Sequence, residues 1–434
     1  MNDWEIKSLD QVSEIVGGGT PDTNNPKLWD GTFNWITPND LNKLKTPYIY
    51  DSERKITKEG LTNSSAKSCP SNTLVLSTRA PIGYLGITTS EASTNQGCKS
   101  IVFKNQHDPL FFYYLLSLSV PSLINLGTGT TFAELSKKDL ESFTLRFPKD
   151  KFEQTSIAKI LSTVDTTIEQ TEKLIAKYLR IKSGLMQDLL TKGIDEQGNI
   201  RSEKTHKFKN SPLGRIPVEW EVKRIIDLAK DKKNAVQTGP FGAQLHSSDY
   251  VESGIPLLLI RNLVDGKINL SNLPFVTFEK AKSLERYRLA EGDIIFSRVG
   301  DVGRVVLATN HHIGWLISGQ LLRVRLSGNI SNGFLSYFLN SRRIKEYLKM
   351  EMLGSTRDSI NTSILENMFV LVPPQNESDK IYSSLSKIDE TIKEASEVIN
   401  KNQKLKSGLM QDLLTGKVKV PNRLIEETNS NKEN

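Results

Sequence analysis

The ten residues KSGLMQDLLT at positions 182–191 occur again, unchanged, at 406–415. Ten identities separated by 224 residues do not arise by chance in a chain of ordinary composition, so the sequence carries an internal duplication. Working outward, Ile157, Leu161, Val164, Asp165, Ile168 and Ile175 align with Ile381, Leu385, Ile388, Asp389, Ile392 and Ile399. Gly129 and residues 140–148 align with Gly354 and 365–373, and Phe111, Tyr113, Tyr114 and Ser117 with Leu335, Tyr337, Phe338 and Ser341. Ser77 and Gly83 match Ser297 and Gly303, and Trp4-Glu5-Ile6-Lys7 matches Trp220-Glu221-Val222-Lys223. A period of about 220 residues is too long for a solenoid unit, so each copy is a domain plus a connector.

Each copy divides into two unlike parts. The front is rich in Gly, Pro, Asn and Thr, with short β-type runs at 73–77, 100–104 and 144–147, then 293–297, 304–308 and 321–326. Helical stretches at 110–119 and 333–352 lie between them, which predicts a mixed α and β domain. The rear, 153–191 and again 377–415, has no proline, and its glycines are Gly184 and Gly408. Apolar residues step by three and four at 157, 161, 164, 168 and 175, and at 381, 385, 388, 392, 395 and 399. That is a narrow coiled-coil seam, and forty residues at ~1.5 Å each give a rod of roughly 60 Å. Two helices with one seam each are natural partners; the alternative is that each packs on its own globular domain.

The expected fold is therefore α+β: two mixed α/β globular domains separated by a long antiparallel two-helix coiled coil, pseudo-two-fold symmetric. The boundaries read as a first globular domain at 1–150, a first helix at 151–193, a linker at 194–219, a second globular domain at 220–374, a second helix at 375–418 and a tail at 419–434.

Composition excludes several classes. The 434 residues are 37% hydrophobic and 25% charged, which suits a folded globular chain rather than a disordered one. The most apolar stretch, 110–120, falls short of the ~18 to 20 residues of a membrane span, and the N-terminus lacks an apolar secretory core. Cys69 and Cys98 are the only cysteines, too few for a disulfide framework or a four-cysteine zinc site, so a reduced cytoplasmic location is expected. The net charge of +7 is a weak sign of a polyanionic partner, and its distribution says more. Residues 221–374 carry 20 basic and 15 acidic groups, while 1–150 carry 15 and 16, with the basic groups of the first domain concentrated in 41–104.

Motifs for chemistry are missing. There is no phosphate-binding loop, Gly127-x-Gly129 lacks the third glycine of a dinucleotide fingerprint, and the five histidines show no metal-ligand spacing. Asp108-Pro109-Leu110-Phe111 only superficially resembles the aminomethyltransferase motif and reads better as a helix start. Pro21-Asp22 with Glu53-Arg54-Lys55 mimics a Mg-dependent nuclease site, but Pro21 belongs to a recurring loop opening. Two related, unequal heads held at fixed spacing suit a ligand with two unequal sites at fixed spacing, and duplex DNA, turning every 34 to 36 Å, is one.

The chain resembles the specificity subunit of Type I restriction-modification systems from residue 4 to about 418. Gly18-Gly19-Thr20-Pro21, Trp29-Asp30-Gly31 and Trp35-Ile36 resemble the opening of that family's target recognition domains. Thr238-Gly239-Pro240-Phe241-Gly242 with Gly254-Ile255-Pro256 resembles another version of it. Gly292-Asp293-Ile294-Ile295, the KSGLMQDLLT helix ends and the linker 211–217 followed by Glu219-Trp220 are similar to family signatures. The resemblance implies two target recognition domains, each reading one half of an asymmetric, bipartite double-stranded DNA site. It implies helices that set the spacer and dock two methyltransferase (modification) subunits, with an ATP-dependent restriction subunit in the full complex. It implies no catalysis by this chain and no cofactor of its own; S-adenosylmethionine, ATP and Mg would belong to partner subunits. Other classes stay open: a stand-alone architectural DNA clamp, or an enzyme whose site follows no known motif.

Base reading needs Arg, Lys, Asn or Gln on groove-facing loops, whereas phosphate contacts need charge and donors. Expected DNA contacts are Lys43, Lys45, Thr78, Arg79, Gln96 and Lys99 in the first domain. In the second they are Arg261, Asn262, Arg298, Arg304, Gln320 and Arg357, with ordinary surface positions as the rival reading. Arg342, Arg343 and Lys345 read equally as phosphate contacts or as a solvated helix face. At the duplicated helix ends, Leu185, Met186, Leu189 and Leu190 with Leu409, Met410, Leu413 and Leu414 read both as coiled-coil closure and as equivalent surfaces for two copies of one partner.

Overall fold

The computed structural model describes residues 3–79, 81–128, 133–326, 330–353 and 359–421. Arg357, Gly129 and Gly354 lie outside them. The chain forms two compact units that do not follow chain order: Met1–Ile175 with Ala395–Asn434, and Ala176–Glu394.

In the first unit a five-stranded sheet runs in the order Ser13–Gly17, Cys98–Phe103, Leu74–Thr78, Ile82–Thr88, Tyr48–Ile49. A four-stranded sheet runs Arg54–Ile56, Trp29–Ile36, Ala92–Thr94, Ser68–Cys69. Trp4–Ser8 pairs antiparallel with Thr144–Pro148, which brings the two ends of the globular domain together. Helix Pro109–Leu126 starts where Asp108 accepts the Leu110 and Phe111 amides and Pro109 occupies the first turn. It buries Phe111, Phe112, Tyr114, Leu115, Leu116 and Leu123 in a core shared with Leu74, Leu76 and Ile101. At eighteen residues it outruns the apolar stretch expected from the sequence and is long and apolar enough to cross a membrane, yet these side chains pack into the unit's own core.

The second unit repeats the plan. Its first four-stranded sheet runs Val236–Thr238, Leu321–Val324, Ile294–Ser297, Val305–Leu307, matching the first four strands of the other sheet. Glu221–Arg224 pairs with Phe369–Val372 as Trp4–Ser8 pairs with Thr144–Pro148. The helix expected over 333–352 is two, Asn332–Leu339 and Arg342–Leu353. Between them the Asn340 amide turns inward to the Val305 and Ser336 carbonyls.

The two long helices, Lys151–Leu189 and Gln375–Leu413, are 39 residues each. In the first unit, Asp165 of one pairs with Lys406 of the other, and Ile157 and Leu161 share a core with Leu413 and Leu414. In the second, Asp389 pairs with Lys182, and Ile381 and Leu385 share a core with Leu189 and Leu190. Position advances on one helix as it falls on the other, so the pairing is antiparallel within each unit. Both readings of the seam hold, because the buried seam residues touch the globular core as well as the partner helix.

Candidate nucleic-acid interface

Three loops converge in each unit on the same hydrogen-bond frame. In the first, the Ser77 hydroxyl donates to the Pro81 carbonyl (2.8 Å) and accepts the Tyr84 amide (2.8 Å), closing the turn between two strands. The Thr78 amide donates to Gly97 O (2.8 Å), and the Leu135 amide to Thr78 O (2.8 Å). In the second, Ser297 donates to Asp301 O (2.6 Å) and accepts the Arg304 amide (2.9 Å). The Arg298 amide donates to Gln320 O (3.1 Å), and the Ile360 amide to Arg298 O (2.9 Å). A buried hydroxyl satisfied in both directions is a rigid bracket for the loop it spans.

The glycine-rich openings lie against these loops. The Gly19 amide donates to Thr94 O and the Gly239 amide to Leu321 O. A Cβ on Gly18 would stand 1.9 Å from Asn95 O, and one on Gly239 2.2 Å from Ser318 O, so backbone approaches backbone where no side chain fits. Thr20 donates to the Gln96 carboxamide (2.5 Å), joining opening and loop by side chains.

The expected contact residues divide into two groups. Arg79, Gln96, Lys43 and Lys45 are exposed, and Lys99 is half-buried on its strand. Arg79 and Gln96 fall on converging loops; Arg79 lies 4.0 Å from Glu134, and Lys43 pairs with Glu53 at 2.7 Å, which raises the Lys43 ammonium above its usual range. Arg261, Arg304 and Gln320 line one open cleft of about 530 Å³ with Asp301, Leu259 and Ile260. Arg304 is anchored there by Asp301 (2.7 Å) and Leu263 O (3.0 Å), whereas Arg261 makes a single bond among the described residues, to Asn272 O. Arg298 is half-buried, its guanidinium 5.8 Å from the Phe241 ring.

Two expected contacts are corrected. Asn262 is fully buried, accepting the Leu259 amide and donating to Asn269 O and Ser271 O, so its carboxamide is consumed in holding its own loop. Thr78 is fully buried on a strand, its hydroxyl directed at Gly97 O. Polar composition in a loop marked both, but short polar side chains in loops often bond their own backbone. Arg357 falls outside the described residues.

The helix-end residues also look inward. Leu189, Leu190, Leu413 and Leu414 are buried, and Leu185, Met186, Leu409 and Met410 are partly buried against the same cores. The duplicated decapeptide has the same burial at all ten positions in both copies, leaving Ser183, Gly184 and Gln187 and their counterparts Ser407, Gly408 and Gln411 exposed. Packing thus accounts for the apolar identities, and an exposed partner surface would have to use the polar ones.

The basic surplus of the second domain is partly internal. Arg323 is buried among Gln237 and the Arg286 and Arg288 carbonyls, and Arg325 forms a 2.6 Å pair with Asp293. The nuclease-like cluster is likewise spent on structure: Arg54 lies 3.6 Å over the Trp29 ring and Glu53 holds Lys43 and Asn39. Among the described residues no group of three or more His, Cys, Asp or Glu side chains stands ready to hold a metal. Two residues outside the expected set adjoin it, Thr20, which donates to Gln96, and Phe241, exposed beside Arg298; both sit in the glycine-rich loop openings.

Residues 1–178 and 217–406 each match the family described as Type I restriction modification DNA specificity domain. The MjaIX specificity subunit of Methanocaldococcus jannaschii is 28% identical over 422 residues, 96% of this chain and 94% of that protein. The MjaVIII specificity subunit of the same organism is 26% identical, covering 97% and 94%. The crystal structure of a Type I restriction-modification S subunit from M. genitalium superposes with a TM-score of 0.61 at 16% identity, covering 95% of this chain and 97% of that one, which shows a shared fold. With two matching segments spanning most of its length, the chain belongs to the Type I restriction-modification specificity subunit family.

Proposed function

We propose that this chain reads a bipartite, asymmetric site on double-stranded DNA, one half per globular domain, for a Type I restriction-modification complex. One observation carries the reading. Both units build the same three-loop frame from the same hydrogen bonds, yet display different side chains from it, Arg79 and Gln96 in one and Arg298 and Gln320 in the other. A duplicated frame with diverged display suits two half-sites of different sequence. On this reading the paired helices set the spacer and dock two methyltransferase subunits, and an ATP-dependent restriction subunit completes the assembly. Catalysis, with S-adenosylmethionine, ATP and Mg, belongs to those partners, in the cytoplasm where the DNA lies.

Mapping methylated adenines in the host genome before and after deletion of the gene tests this. Loss of one split motif is expected; an unchanged methylation map contradicts it. A stand-alone DNA clamp is separated by pull-down with a methyltransferase subunit, since a chain that never associates with one fits the clamp instead.

A further inference from the structure

Each unit contains a three-residue polar clasp at the seam between the long helices, and the two clasps are copies. In the first unit, Asp165 accepts the Tyr114 hydroxyl (2.7 Å) on one oxygen and the Lys406 ammonium (2.6 Å) on the other, with Lys406 5.5 Å from the Tyr114 ring. In the second, Asp389 accepts the Tyr337 hydroxyl (2.6 Å) and the Lys182 ammonium (2.6 Å), with Lys182 5.5 Å from the Tyr337 ring. The carboxylate comes from one long helix, the lysine from the other and the tyrosine from the globular domain's own helix, so one carboxylate ties three elements. The tyrosines occupy equivalent positions one residue off the sequence alignment, which had set Tyr113 against Tyr337. The caps of the two domain helices, Asp108 and Ser331, show the same one-residue slip.

All four charged groups are largely withdrawn from water: the side chains are 28% and 23% exposed in one clasp and 19% and 18% in the other. Burial and the neighbouring carboxylate push both tyrosine hydroxyls far above their ordinary range, so they stay protonated and donate. An apolar seam by itself tolerates sliding by a heptad, whereas a half-buried polar pair at one level specifies register. The clasps agree on that register. Asp165 to Lys182 is seventeen residues forward on the first helix, and Lys406 to Asp389 is seventeen back on the second, so one antiparallel alignment satisfies both. Lys182 and Lys406 also open the duplicated decapeptide, so the identity at that position has a cause that core packing does not supply.

We propose that the Tyr114–Asp165–Lys406 and Tyr337–Asp389–Lys182 clasps are specificity-determining positions for spacer length. They pin the sliding register of the helix pair and fix each globular domain to it. This rests on the bipartite reading above. A slip of one heptad would move a helix by ~10 Å, about three base pairs of duplex, so a small change of register is a large change of spacer.

The test uses the full-length chain assembled with its methyltransferase subunits and duplexes carrying the mapped split motif, with the spacer changed one base pair at a time. The wild type is expected to lose about tenfold in affinity for a spacer one base pair too long or short, the scale of one mismatched pair. Asp165→Asn, and the milder Tyr114→Phe should the first fold poorly, are expected to flatten that preference to about threefold, with discrimination within each half-site unchanged. Lys406→Arg, which keeps the ion pair, is expected to retain it. Variants that melt earlier yet keep the wild-type spacer profile would overturn the proposal and leave the clasps as stabilising contacts. A wild type that binds each half-site without any spacer preference would overturn the proposal while leaving half-site reading intact; a wild type that binds no split motif would remove the bipartite reading itself.

Discussion

Replacing Glu377 by glutamine should unfold the second unit far more readily than the matching change at Glu153 unfolds the first. Glu377 accepts the Ile194 amide (2.9 Å), two Arg201 bonds (2.5 and 3.1 Å) and the Trp220 indole (3.1 Å), and both charged side chains are under one-tenth exposed. Gly193, at φ +65, turns the chain so tightly there that an added Cβ would stand 2.1 Å from the carboxylate. Removing the negative charge leaves the Arg201 guanidinium buried without compensation, which costs about 3–5 kcal/mol. For a unit of roughly 200 residues that lowers the melting temperature by roughly 6–20 °C. Glu153 occupies the same turn of the other long helix but accepts one described bond, from the Trp4 indole at 3.3 Å. Its loss costs about 1 kcal/mol, a few degrees at most. Hydrogen exchange read peptide by peptide on the full chain is the assay, with lost protection expected at 192–206 and 217–224 for Glu377→Gln alone. Substituting Arg201→Met and Glu377→Gln together should cost less than Glu377→Gln alone, because no orphaned charge remains and the glutamine oxygen still accepts from the Ile194 amide or the Trp220 indole. Equal losses for Glu153→Gln and Glu377→Gln, or a double variant worse than the single, would refute the reasoning.

Other outcomes follow from the same geometry. His107 lies buried between Phe112 and Phe147 with neither ring nitrogen bonded among the described residues, and burial holds its pKa below the ordinary 6.5. The folded chain therefore favours the neutral ring, a contribution present above pH 6.5 and lost as pH falls below it, because the unfolded chain protonates first. Thermal melts of His107→Phe should accordingly fall less than wild type between pH 7 and 5.5, and parallel curves would contradict this. Gly239→Ala should disturb the second domain's loops, because its Cβ meets Ser318 O at 2.2 Å; weakened binding of one half-site, read by competition with half-site variants, is expected. Arg261→Ala should reduce the slope of log affinity against log salt by about one if the side chain meets a phosphate, or cost about 1–3 kcal/mol at one base pair if it reads a base. An Arg261→Ala variant that shows neither effect would exclude Arg261 from the interface.

The duplication, the antiparallel helix pair and the mixed globular domains were legible because identity over ten residues and three-four apolar spacing are strong, local signals. The single helix read over 333–352 was two because Asn340 finds a carbonyl across the fold, a partner no sequence window contains. Alignment slipped at Tyr113 for a similar reason: apolar helices repeat too evenly for their register to be read without the cap that starts them. Within the interface, loop openings with Gly18 and Gly239 were readable because close backbone approach demands glycine. Asn262 and Thr78 misled because loop polarity says nothing of whether a side chain turns to water or to its own backbone. The clasps were half visible: Asp165 aligned with Asp389 and the lysines were identical, but three elements far apart in sequence meet there.

The central claim is that each globular domain reads its own half of one split site. Exchange of residues 43–99 for the corresponding segment of a relative with a different motif, followed by genome-wide mapping of methylated adenines, tests it most directly. The account predicts a new split motif in which one half changes while the other half and the spacer persist. Alteration of both halves together, or of neither in a complex that still methylates, would contradict it.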